Sequence, residues 1–266
     1  MTMAPRHQTR LDDFTPSITR VVDNLLPTGD HIPNDLVPHL LRFAFQNIHG
    51  ATLQSGLSLP DEIEAMSTWN TDIMGMSETN RPWTPQQRAE YDYMMNLRFN
   101  SSRTLYTAAL TPSYDTKYLP GGNLLTINGR TTGRISDSGS DEWGRFCWYT
   151  LLGRRDEGIL LLVAYRVCHE AHDNPGPFTA YQQQYMAMRQ AGYAKPNPRK
   201  QILDDMSKLI NEKRLLGFRP IVMMDARTTE LTTRTWHLSS LPRDWQTHSM
   251  TNSLFPHPLI FMARND

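Results

Sequence analysis

Between Leu41 and Ser77 the hydrophobic period of the chain changes twice, and no other stretch limits the available folds as much. Leu41-Arg42-Phe43-Ala44-Phe45-Gln46-Asn47 alternates as a strand does and stops at His49-Gly50. Pro60-Asp61-Glu62-Ile63-Glu64-Ala65-Met66 then opens a helix, with Pro and acidic residues in the first turn, where a preset φ and the helix dipole favour them. Ile73-Met74-Gly75-Met76-Ser77 is a second strand, closed by Glu78-Thr79-Asn80. Strand, helix, strand is the βαβ pattern, so the chain is expected to form a mixed α/β domain.

The remaining segments follow in kind. Residues 85–99 carry Tyr91, Met94, Met95 and Phe99 at helical spacing. Residues 105–110, 123–127, 146–152 and 159–164 read as short strands, separated by turn signals such as Pro120-Gly121-Gly122 and Asn128-Gly129. Two helices come next. One carries Phe178, Tyr181, Tyr185 and Met188 on one face. The other begins at Asn197-Pro198, ends at Gly217 and buries Ile202, Met206, Leu209 and Ile210. Residues 1–38 mix Pro, Thr, Asp and Arg with little periodicity and are expected to form a mobile lead-in, with one short helix around 18–26.

The chain has 266 residues and a formal net charge of zero, so nucleic-acid contact would have to come from local basic patches rather than from a global field. No window has the length of a membrane span, and the first residues lack the apolar core of a signal peptide. An intracellular location without membrane contact is therefore expected. Cys147 and Cys168 lie on separate strand-like segments and are expected to be free, buried thiols.

Arg219-Pro220-Ile221-Val222-Met223-Met224-Asp225 reads as a covered strand that ends in a carboxylate. It is one of four places where an apolar run ends on a polar group, the others being Asn47, Glu78 and Tyr165 with Arg166. In a layered α/β fold these tips can gather at one edge of the sheets. Asn, Glu and Asp together are an oxygen-rich set suited to a hard cation such as Mg2+. Phosphodiester cleavage needs charge neutralised, a water activated and a leaving oxygen stabilised, and a carboxylate-held metal, a carboxylate base, a Tyr hydroxyl and an amide can divide that work. Each residue taken alone also fits a plain strand-end cap or turn.

Order and spacing make the set resemble the endonuclease/exonuclease/phosphatase superfamily. Gln46-Asn47-Ile48-His49-Gly50 looks like its first motif and Ser77-Glu78-Thr79-Asn80 like its second. Pro120-Gly121-Gly122 matches its Gly-Gly turn, Ala164-Tyr165-Arg166 is similar to its third motif, and Met223-Met224-Asp225-Ala226 matches the start of its Asp-x-Asn motif. The resemblance covers residues 41–226 and is closest to the endonuclease-like domains that accompany reverse transcriptases in mobile elements. It implies a four-layer α/β/β/α sandwich of two mixed sheets flanked by helices, incomplete at its C-terminal end. It also implies a Mg2+-dependent phosphodiester hydrolase, with Mn2+ as a substitute, that nicks DNA in a retrotransposon-like element. Glu78 would hold the metal with Asn47, Tyr165 would face the phosphate, Asp225 would position the water, and Arg166 would contact the phosphate. No obligate protein partner follows from it, and action on genomic DNA would put the chain in the nucleus.

The resemblance stops at Arg227, where the family has Asn, and no Asp-His pair closes the chain. Residues 227–266 lose periodicity apart from Leu259-Ile260-Phe261-Met262. Back-translated and read two bases out of frame from codon 227, they can give family-like sequence, Asn directly after Asp-Ala included. A frameshifted tail on a truncated domain, residues 39–226, is therefore expected. Two other readings follow: a catalytically inactive remnant or interaction module of this fold, and a phosphatase or phospholipase-type phosphoesterase acting on a small substrate. Of the other polar clusters, His169, Glu170, His172 and Asp173 read as a solvated loop, because they lack the i, i+4 His spacing of zinc proteases. Arg154-Arg155 and the trio Lys195, Arg199 and Lys200 read as solvated basic faces, and Tyr181, Tyr185 and Met188 read as core rather than as a base-stacking platform.

Overall fold

The computed structural model describes residues 40–51, 59–108, 119–153, 158–168, 179–225 and 259–264, the last group by backbone alone. Its strands are β1 (Leu40–Asn47), β2 (Ile73–Ser77), β3 (Ser102–Thr107), β4 (Asn123–Asn128), β5 (Ile135–Ser140), β6 (Phe146–Leu152), β7 (Gly158–Tyr165), β8 (Phe218–Asp225) and β9 (Leu259–Arg264). Helices α1 (Leu59–Thr68) and α2 (Pro85–Arg98) flank β2, α3 (Ala180–Gln190) and α4 (Pro198–Leu215) lie between β7 and β8, and a short 3-10 helix (Gly129–Arg134) leads into β5.

Two mixed sheets result, in the orders β3-β4-β2-β1-β9 and β5-β6-β7-β8. Each contains one parallel pair, β1 with β2 and β7 with β8, and its other neighbours are antiparallel. Alternation along the strands assigns the two faces. Phe43, Phe45, Ile73, Leu125 and Ile127 of the first sheet meet Cys147, Tyr149, Leu151, Leu161, Val163 and Met223 of the second. Ala44, Met74, Met76 and Leu124 point the other way, onto Leu59, Ile63 and Met66 of α1 and Tyr91 and Met95 of α2. On the far side Phe146, Leu162 and Ala164 pack on Ile202 and Met206 of α4. The layers run helix, sheet, sheet, helix, as the resemblance implied.

The helix boundaries are fixed by local chemistry. Thr84 caps α2 in a reciprocal box with Gln87, and Pro85 takes the first turn. Asn197 caps α4 through the Lys200 N–H at 3.0 Å, ahead of Pro198, and Gly217 takes the left-handed φ of +89° beyond its end.

Five differences from the sequence reading stand out. Strand β3 lies three residues earlier than the apolar run at 105–110 suggested, because its register is set by pairing Ser102–Thr107 with Asn123–Asn128. β5 is a strand despite its Ser, Asp and Gly content, held by pairing with β6 and by Ser136 Oγ reaching the Thr150 hydroxyl at 2.9 Å. The apolar run at 259–262, read as part of an aperiodic tail, belongs to β9, which pairs antiparallel with β1 at the edge of the first sheet. Both cysteines are free, but only Cys147 is buried, and Cys168 is partly exposed. Face assignment on α3 also differs: Gln183, Gln184 and Met188 are buried, whereas Tyr181 and Tyr185 are only partly so. Among the described residues no helix is long and apolar enough to cross a membrane. The lead-in, residues 154–157, the His169–Asp173 cluster and Arg227 lie outside the described residues.

Gly75 leaves room for the neighbouring side chains of both sheets. A Cβ there would stand 2.7 Å from Val163 Cγ2 of β7 and 3.1 Å from the Phe45 ring, too close for either to remain in place. Gly75→Ala is therefore expected to destabilise the fold by about 1–3 kcal/mol through overpacking. Urea unfolding would report it as a lower midpoint with an unchanged slope.

Candidate active site

Parallel pairing sets the site. The register matches Asn47 with Ser77 at the carboxyl ends of β1 and β2, and Tyr165 with Asp225 at those of β7 and β8. Packing of the sheets then joins these ends across the interface. The Asn47 side-chain amide donates to an Asp225 carboxylate oxygen, and the Glu78 carboxylate sits beside the Tyr165 phenol. Each pair joins a residue of the first sheet to one of the second. All four residues named from the sequence thus meet. Arg166 lies one residue beyond Tyr165; its backbone N–H donates to Asp225 O at 3.1 Å and its Nε to Arg199 O at 3.3 Å, at the start of α4.

Glu78 stands on strained backbone. Among the described residues five non-glycine residues have left-handed φ, and four of them, His49, Glu78, Asn80 and Trp83, cluster here. Such conformations cost on the order of 1–3 kcal/mol each and persist only where neighbours enforce them. The neighbours are on both sides. The loop after β1 donates from Ile48, Gly50 and Ala51 N–H to the carbonyls of Ser77, Glu78 and Thr79, at 3.2, 2.8 and 2.7 Å. From the other side Asn80 N–H donates to Gly121 O at 2.8 Å, and Gly121 N–H returns a bond to Asn80 Oδ1 at 2.7 Å. Gly122, at φ +80°, allows this approach: a Cβ would lie 2.6 Å from Thr107 O and 2.8 Å from Thr79 Oγ1. Beneath the loop, the buried Trp83 donates its indole N–H to Thr79 Oγ1 at 3.1 Å and packs on Tyr91 and Tyr106.

Three positioning groups escaped the sequence reading. His49, 81% exposed, sets its Nδ1 3.1 Å from Glu78 Oε2. Arg145, its side chain 2% exposed, is pinned by Asp141 at 2.7 and 2.8 Å and by Asp205 of α4, while its carbonyl accepts Tyr165 N–H and Asn123 Nδ2, both at 3.0 Å. Asn123 links this loop to the Gly121-Gly122 turn. Only the proximity of Asp141 and Arg145 at i, i+4 spacing could have hinted at any of this.

The donor set fits one kind of metal. The Glu78 carboxylate and Asn47 Oδ1 are hard oxygens, and Tyr165 and His49 orient the carboxylate. Among the described residues no three His, Cys, Asp or Glu side chains gather. Oxygen donors of this kind match a hard cation in chemical type.

No family model and no curated protein sequence matches the chain. It is similar to several solved structures. The human Nocturnin catalytic domain superposes with a TM-score of 0.43 at 14% identity, over 75% of this chain and 70% of that one. An endonuclease/exonuclease/phosphatase from Beutenbergia cavernae gives 0.37 at 12%, over 57% and 43%. An AP endonuclease from Archaeoglobus fulgidus gives 0.34 at 14%, over 57% and 49%. The chain thus spans less than half the length of the last two.

Burial, then the Glu78 carboxylate beside it, hold the Tyr165 phenol well above its ordinary value near 10. Burial does the same first for Tyr91, Tyr106 and Tyr149. Spectrophotometric titration of the native chain should leave these four phenols protonated well above pH 10, with release on denaturation. A phenol with a raised folded pKa stabilises fully below its unfolded value and loses that contribution as pH climbs. Stability is therefore expected to fall above about pH 10.

Proposed function

We propose that this chain is a phosphoesterase of the endonuclease/exonuclease/phosphatase type, and specifically a Mg2+-dependent hydrolase of DNA phosphodiesters from a retrotransposon-like element. One observation carries the reading: Asn47 with Asp225 and Glu78 with Tyr165 form two polar pairs across the sheet interface, and Glu78 stands on a loop whose strained backbone is enforced from two sides. A structural cap needs neither the strain nor the convergence.

Glu78 and Asn47 would hold the cation, Mg2+ or in its place Mn2+, which supplies positive charge next to the phosphate. Asp225, held by the Asn47 amide, takes the proton of the attacking water. Tyr165 keeps its proton at working pH and donates from its hydroxyl to the phosphate. Arg166 stands at the same strand end as a phosphate contact. Nicking of supercoiled plasmid should require Mg2+ and fall at least about 100-fold in Glu78→Gln, with the fold intact by circular dichroism. Equal nicking by wild type and variant would remove Glu78 from the site.

A second reading is an inactive interaction module. The lack of a three-ligand cluster among the described residues favours it. Calorimetry separates the two, since a module of this kind takes up no Mg2+ and a nuclease does. Hydrolysis of phosphomonoesters or inositol phosphates without plasmid nicking would move the substrate to a small phosphoester.

A further inference from the structure

The neutral chain carries a cation-rich segment beside the site. Arg189, Lys195, Arg199 and Lys200 lie on it, and the next carboxylates are Asp204 and Asp205, further along α4. The segment contains the loop between α3 and α4, and two bonds tie it to the site: Arg199 Nη1 donates to Val167 O at 2.6 Å, and Arg166 Nε donates to Arg199 O. Arg199 is buried by this, whereas Arg189, Lys195 and Lys200 are exposed. Tyr193 stands in the middle of the loop and is 39% exposed.

Tyr193 rests on a fixed base. Its ring meets Trp143 edge-on at 6.0 Å, and Trp143 is buried under the Arg145 guanidinium, 4.5 Å from the ring centre. Arg145 is itself clamped by Asp141 and Asp205, and its carbonyl receives Tyr165 N–H. The backbone is set as well, since Tyr193 N–H donates to Met188 O at 3.0 Å after Gly192 at φ +90°. A half-open aromatic ring on a rigid support, flanked by exposed lysines, is how proteins hold unpaired nucleotides. Bases stack on the ring and phosphates meet the cations. A duplex offers no free base face to such a ring.

We propose that the α3–α4 loop and the first turn of α4 form a binding site for single-stranded nucleic acid next to the cleavage site, with Tyr193 stacking an unpaired base and Lys195 and Lys200 meeting the adjacent phosphates. The inference extends the phosphodiesterase reading by giving its substrate an unpaired stretch beside the scissile bond. It takes either sugar, because stacking and phosphate contact do not involve the 2′-hydroxyl.

The test is fluorescence anisotropy on the full chain in EDTA, with a labelled single-stranded DNA, an RNA of the same sequence and a blunt DNA duplex of equal length. Both single strands should bind more tightly than the duplex. Tyr193→Ala should weaken single-strand binding about tenfold while Tyr193→Phe restores it. Lys195→Gln with Lys200→Gln should flatten the plot of log affinity against log salt by about 1.4, or about 0.7 for each lost phosphate contact. Duplex binding as tight as single-strand binding would overturn the proposal, and so would affinity unmoved by Tyr193→Ala. Cleavage is silent in EDTA, so a chain that binds as expected but nicks nothing with Mg2+ discards the hydrolase alone.

Discussion

Parallel pairing is the constraint on which the site depends. In a parallel pair both strands finish at the same edge, whereas antiparallel neighbours finish at opposite edges. Each sheet here has a single parallel pair, β1 with β2 and β7 with β8, and the two pairs pack face to face. Four strand ends therefore meet, and the polar residue that closes each strand, or follows it, comes within reach of the other sheet. The helices α1 and α4 follow from the same constraint, since a parallel pair needs a crossover, and they cover the outer faces.

Much of this was legible because buried strands have a simple sequence form. An apolar run broken by one polar residue reads as a covered strand with its end in view, and Asn47, Glu78, Tyr165 and Asp225 all stand in that setting. Caps were legible for the same reason, as Thr84-Pro85 and Asn197-Pro198 carry their own geometry. β5 was not, because Ile135-Ser136-Asp137-Ser138-Gly139-Ser140 has the composition of a loop and becomes a strand only through its partner β6. The supports of the site were hidden too. Trp83 and Thr79, Arg145 and Asp205, and His49 and Glu78 pair through the fold, and apart from Trp83 with Thr79 they are distant in sequence.

Strain and burial are distributed with some economy around Glu78. Its left-handed backbone is held by the two flanking loops, and these are held by residues that approach closely only because Gly122 lacks a side chain. The catalytic carboxylate of the proposal is thus placed by main-chain hydrogen bonds, which vary less than side-chain packing when the surface changes. The Trp83, Tyr91 and Tyr106 cluster supplies the apolar bed under that loop.

Arg145 has a further consequence. Its side chain binds α4 through Asp205, and its main chain binds both Tyr165 and Asn123. A local opening that lifts α4 from the sheet would strip a buried guanidinium of one carboxylate and pull on two strand ends together. Partial unfolding of the helix is therefore coupled to loss of the site. The outer helix and the edge that carries the polar site should exchange their amide hydrogens as one cooperative unit, although they lie in different layers of the molecule.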